Sequence, residues 1–143
     1  MDSSTTSLAA DQWMKPPPSQ DGAPFSVHVR IAVKRISHVC TVSSSVCIRL
    51  GLVYYWTDER LKGWPEDKPL PSMLWCPKMI LMNKEGSVEA TPDGLHLLDA
   101  SRGRLKRGYN IDGYVNFVME DLGYFPFDVD TLNIRLYTES NWE

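Results

Sequence analysis

The sequence predicts an all-β fold, an antiparallel immunoglobulin-like β-sandwich. Three observations point there. Two long stretches near the N-terminus alternate apolar with polar residues, the period of a strand with two unlike faces. The middle of the chain is punctuated by "DKPLPS" (67–72), "NKEG" (83–86), "TPDG" (91–94) and "SRGR" (101–104), where Pro, Asn, Asp or Gly preset a reversal. No window longer than about ten residues carries a clean helical stripe. At 143 residues the chain is a single domain, and folding at this size buries roughly two-thirds of the unfolded surface, enough for a core without staples.

The elements follow in order. Residues 1–24 are rich in Ser, Thr, Asp and Pro, with a proline triplet at 16–18 that forbids a helix through it. They read as a disordered leader to a β domain at 25–143. In "VHVRIAVKRI" Val27, Val29, Ile31 and Val33 alternate with His28, Arg30, Ala32 and Lys34, which predicts a strand with one buried and one wet face. Ser and Thr at 41–45 turn the chain. "VCIRLGLVYYW" (46–56) is a second strand, with Ile48, Leu50, Leu52, Tyr54 and Trp56 on one face. Shorter strands are expected at "SVEA" (87–90), "LHLLDA" (95–100), "YVNFVME" (114–120) and "TLNIRLYT" (131–138).

Composition excludes several function classes. Fifteen Lys+Arg against 18 Asp+Glu give a net charge of −3, without the positive field that tracks a phosphate backbone, so no nucleic acid partner is expected. The basic run "RGRLKR" (102–107) reads as a solvated turn and strand start. Cys40, Cys47 and Cys76 match no zinc spacing, and His28, His38 and His96 stand singly, so neither metal nor cofactor is expected. Cys40 and Cys47 meet across a hairpin, either as a disulfide in an exported domain or as two small buried thiols. No apolar run approaches the roughly 20 residues of a membrane helix, and the N-terminus lacks the pattern of a secretory signal. The chain as given is therefore expected to be soluble. Neither a phosphate-cradling loop nor a nucleophile with its base is present. The adjacent Glu120 and Asp121 point to opposite faces of a strand, so the chain reads as a non-enzyme.

Three further stretches are unusual in their order and spacing. "WTDERL" (56–61) ends a strand on an aromatic, with a carboxylate and then an arginine at two-residue steps. "LWCPKMILMN" (74–83) sets Trp75 and Pro77 before an apolar segment ending in Asn83. "YFPFDVDTL" (124–132) places aromatics around a proline and follows them with a carboxylate. Together they resemble the extracellular ligand-binding domain of the pentameric ligand-gated ion channels, the Cys-loop receptor superfamily. Trp56, Asp58, Arg60 and Leu61 match its Trp-x-Asp-x-Arg-Leu run. Trp75, Pro77 and Asn83 match its Trp-x-Pro segment with a downstream Asn. Phe125, Pro126, Phe127 and Asp128 match its signature loop unchanged. The resemblance spans residues 27–139.

The resemblance implies a subunit that assembles with identical or related neighbours into a pentamer at the cell membrane, this domain outside, and couples a small-molecule ligand or proton at subunit interfaces to gating. The Phe125-Pro126-Phe127 corner would press on the channel's membrane helices, consistent with the cost of exposing such a cluster. The hairpin at 38–41, with Val39 at its tip, would contact a linker between them. The loop cysteines of animal members fall at Val118 and Leu132, which implies apolar packing in place of a cross-link, as in prokaryotic members. The aromatic-box positions for amine agonists fall on Met82, Glu139 and Gly51, none aromatic, which disfavours cation–π capture of an amine. Tyr109 and Arg107 keep recognition chemistry for a small polar or acidic ligand, and Glu139 is a candidate proton acceptor. The family would add final strands and four membrane helices after "TESNWE". A truncated product, a degenerate paralogue and a domain completed by a partner each account for their absence. A soluble β-sandwich binding protein without a pore is the alternative function.

Overall fold

The strand that most fully obeys its alternation anchors the fold. In β2 (Ser45–Thr57) the side chains of Val46, Ile48, Leu50, Leu52, Tyr54 and Trp56 are all at 2 % exposure or less. Each fully buried apolar side chain of this size contributes about 1.5–3 kcal/mol. The computed structural model describes residues 11–19, 22–118 and 132–138. Among these, β1 (His28–Cys40), β2, β4 (Lys84–Asp99) and β5 (Arg104–Asn116) form a four-stranded sheet in the order β1-β2-β5-β4. β3 (Met79–Leu81) pairs antiparallel with β6 (Leu136–Thr138), Ile80 opposite Tyr137. The fold is all-β, of the sandwich class that the alternation predicts.

Several expectations are corrected. β1 alternates as read, but Val29, Ile31 and Val33 are 37 %, 50 % and 54 % exposed. β1 is a sheet edge, and among the described residues nothing covers its apolar side. The "TPDG" turn at 91–94 does not form. β4 runs unbroken from Lys84 to Asp99 because it is the other edge, where Pro92 need donate no ladder bond. Of the described part of the strand expected at 114–120, only the residues up to Asn116 are strand, the tail of β5. Of the described part of 131–138, only Leu136–Thr138 is strand. Within the N-terminal segment, residues 11–14 make a helical turn and Pro17 is buried.

The chain divides into two compact units. One comprises Met1–Arg30, Val53–Pro77 and Asp93–Gly108, the other Ile31–Leu52, Lys78–Pro92 and Tyr109–Glu143. The first has Tyr54, Trp56, Leu61, Leu74 and Leu105 in its core, the second Val46, Ile48, Leu50, Leu52, Leu81, Ile111 and Val115. No described helix is long and apolar enough to cross a membrane.

The β4–β5 turn carries a titratable lock. Asp99 Oδ1 accepts from the Ser101 hydroxyl at 2.6 Å and the Ser101 N–H at 2.9 Å, with Arg102 Nε 3.8 Å from Oδ2. The Ser101 hydroxyl foremost, then the backbone donors, hold the Asp99 carboxyl below the usual carboxylate range. Its folded-state value being depressed, its contribution to stability is present above the unfolded value and disappears as pH falls through the folded one. Ser101→Ala is expected to raise the Asp99 midpoint toward that of a free aspartate. A side-chain NMR titration checks this, and an unmoved midpoint refutes it.

Candidate functional site

In the first unit the Trp-x-Asp-x-Arg-Leu run closes on itself. Asp58 is fully buried and caps the 3-10 turn Glu59–Leu61, its Oδ1 accepting from the Arg60 N–H at 3.0 Å. The Arg60 guanidinium returns to the same carboxylate, Nε to Oδ1 at 2.8 Å and Nη2 to Oδ2 at 2.6 Å, a bidentate pair. The remaining guanidinium donors hold the N-terminal segment: Nη1 donates to the Gln12 carbonyl and Nη2 to that of Lys15 at 3.2 Å, with the guanidinium 4.9 Å over the Trp13 ring. Trp13 meets Trp64 edge-on at 5.8 Å, and its carbonyl accepts from the Trp75 N–H at 2.7 Å. Trp75 stands perpendicular to Trp56 at 6.4 Å and edge-on to Phe25 at 5.4 Å. Trp56, Asp58, Arg60 and Trp75 thus form one cluster, with Pro77 buried nearby in sequence. The indole Nε1 of Trp56 is buried with no acceptor among the described residues.

In the second unit Asn83 is the organising polar group. Its Nδ2 donates to the Asn116 carbonyl at 2.8 Å and the Asn133 carbonyl at 2.7 Å, while Oδ1 accepts from the Arg135 N–H at 2.9 Å. On β2 and β5, Arg49 Nε meets Asp112 Oδ1 at 2.6 Å, a hydrogen bond that raises the guanidinium's proton affinity. Lys34 Nζ donates to Asn110 Oδ1 at 2.5 Å. The β1–β2 turn spans 41–44, with Ser44 at φ 49° and its carbonyl accepting from the Phe117 N–H at 2.9 Å. All three cysteines are free, and Cys40 is exposed rather than buried. The Ser43 hydroxyl and N–H hold the Cys40 thiol below its ordinary value.

The ligand-binding expectations fall on separate surroundings. Arg107, on β5, points Nη1 at Cys76 Sγ, 3.1 Å away. Tyr109 is half-buried on the same strand. Gly51 is buried on β2, where an added Cβ would meet Lys34 Cε at 2.8 Å, the far end of a side chain able to swing aside. Met82 is 58 % exposed just past β3, its N–H bonded to the Arg135 carbonyl. Glu139, Phe125, Pro126, Phe127 and Asp128 lie outside the described residues. Val39 is 62 % exposed but belongs to β1, whose next turn carries Val42, 96 % exposed; His38, at φ 51°, lies within the strand. Val118 is 81 % exposed, so the apolar packing expected of it with Leu132 does not form: β5 has ended two residues earlier. Among the described residues no group of three or more His, Cys, Asp or Glu could hold a metal.

The family model for the neurotransmitter-gated ion-channel ligand binding domain matches residues 6–141. The chain belongs to that family. No curated protein matches the chain. A neurotransmitter-gated channel ligand-binding domain is the extracellular part of a multi-subunit membrane channel that responds to small-molecule ligands, and the family is not one of enzymes. In this ligand-binding domain the motif residues Trp56, Asp58, Arg60 and Trp75 are structural by their contacts: they tie a turn, an arginine and the N-terminal segment together. Sequence reasoning missed Trp13, Gln12 and Lys15 as their partners. The signal was a lone tryptophan in an otherwise polar leader, a costly side chain to leave in water.

Proposed function

We propose that this domain belongs to one subunit of a pentameric ligand-gated channel, binds its ligand at the interface with a neighbouring subunit, and passes the signal to the membrane helices. The family match over residues 6–141 carries the reading. Arg107 and Tyr109, two residues apart on β5, supply a cation and a phenol for a small polar or acidic ligand. Glu139, Met82 and Gly51 complete the ligand-contacting set in this reading. The signal leaves through Val39 and the Phe125, Pro126, Phe127 and Asp128 loop, whose aromatic corner favours an apolar docking partner.

Current recordings from a full-length subunit carrying this domain test the proposal, with protons, small carboxylates and amines applied in turn. Tyr109→Ala is expected to shift the half-maximal agonist concentration about tenfold upward with maximal current kept, the mark of a lost binding contact. Phe127→Ala is expected to lower maximal current with agonist binding kept. Wild-type responses from both variants would overturn the reading.

A further inference from the structure

The first unit carries a cleft that none of Met82, Gly51, Arg107 or Tyr109 lines. Its volume is about 480 Å³, within the range of small-molecule pockets. Its floor is one face of the sheet where β1 begins, β2 ends and β5 begins, three strands adjacent in the order β1-β2-β5. Tyr55 and Thr57 lie two apart on β2 and so share a face. Arg104 lies on that same face, its guanidinium 5.8 Å over the Tyr55 ring. His28 and Arg102 complete the polar lining, and Phe25, Pro18 and Pro24 make an apolar wall.

The charge balance in the cleft is positive. Its one carboxylate, Glu59, is paired with Lys62, a residue outside the lining. Arg102 holds only a loose contact to Asp99 at 3.8 Å, with its side chain 79 % exposed. Arg104 sits 5.8 Å from the Tyr55 ring centroid, with no ion pair to an acid among the described residues. A guanidinium beside an aromatic ring and without an acid partner has N–H donors for a planar, bidentate acceptor. The Tyr55 and Thr57 hydroxyls add donors, and the prolines and Phe25 offer surface to an apolar body.

We propose that this cleft binds a small carboxylate with a flat apolar body, its carboxylate on Arg104 and Arg102 and its body against Tyr55, Phe25 and the prolines. The site is independent of the interface reading above and of whether the domain gates a pore. Benzoate is the probe, with benzamide as its neutral match and inorganic phosphate as an anion without an apolar body. Each is titrated into the full chain and followed by amide NMR shifts and calorimetry.

Benzoate is expected to shift His28, Tyr55 and Thr57, and benzamide to bind at least tenfold more weakly. Arg104→Gln should weaken benzoate at least tenfold and Arg102→Gln severalfold, with thermal midpoints unchanged because both side chains are exposed. Lys84→Gln, an exposed cation outside the cleft, should leave the affinity as it was. Equal affinity in the Arg104→Gln variant overturns the proposal. So does phosphate binding as tightly as benzoate at the same residues, which would make the cleft a bare anion site, and so does the absence of benzoate shifts there.

Discussion

Asp58→Ala is expected to destabilise the protein by about 3–5 kcal/mol, the cost of removing one partner of a buried, hydrogen-bonded ion pair. The carboxylate is fully buried and accepts from the Arg60 N–H, Nε and Nη2. Its loss removes the cap of the 3-10 turn and leaves the Arg60 guanidinium, 20 % exposed, without an anion. For a domain whose whole stability is of order 5–15 kcal/mol, that is a large share. The damage spreads along the chain, because the same arginine holds the carbonyls of Gln12 and Lys15. Urea unfolding measures the first effect and amide hydrogen exchange at residues 11–15 the second. Asp58→Asn keeps the cap but not the charge, and should fall between wild type and Asp58→Ala. A loss under about 1 kcal/mol for Asp58→Ala would place the pair among ordinary surface contacts.

Gly103→Ala should be comparably damaging, by about 3 kcal/mol or more, for a different reason. Gly103 sits at φ 65°, and a Cβ there would lie 2.2 Å from the Asp58 carbonyl oxygen, 3.1 Å from its carbon and 3.3 Å from the Lys62 nitrogen. These are backbone atoms and cannot swing away. The left-handed conformation alone costs a β-carbon roughly 1–2 kcal/mol, and the clash adds loss of the 2.9 Å bond from the Asp58 N–H to the Gly103 carbonyl. Gly63→Ala is the internal control: its φ is 72° but nothing stands within 4 Å of the added carbon, so only that same conformational cost of roughly 1–2 kcal/mol is expected. Equal unfolding midpoints for the two variants would show that the close approach of Gly103 carries no energy.

How much of this was legible in the residues depends on whether a feature is local. β2 was readable because its period-2 pattern and its burial coincide, from Val46 to Trp56. The turn at 101–103 was readable from its Ser, Arg and Gly, since positive φ at Gly103 is a backbone demand. The "TPDG" turn failed because Pro and Gly report only local preference, and an edge strand tolerates both. β1 shows the other limit: alternation tells which side chains share a face and nothing about what lies against that face. The docking of Trp13 on Arg60 was invisible for the same reason, its partner being 47 positions away. The candidate ligand residues were legible only through the family resemblance, and of these the cleft at Tyr55 and Arg104 includes none.

Asn83 gives the second unit a shared polar anchor, beside the backbone bonds from the Asn116 N–H to the Asn83 carbonyl and from the Met82 N–H to the Arg135 carbonyl. One amide group secures the end of β5 through Asn116 and the approach to β6 through Asn133 and Arg135, stretches far apart along the chain. Backbone openings at these places are therefore coupled. Breathing at the end of β5 should reach residues 133–135 before it reaches the interior of β2, making these edges one cooperative block that protects or exposes its amides together.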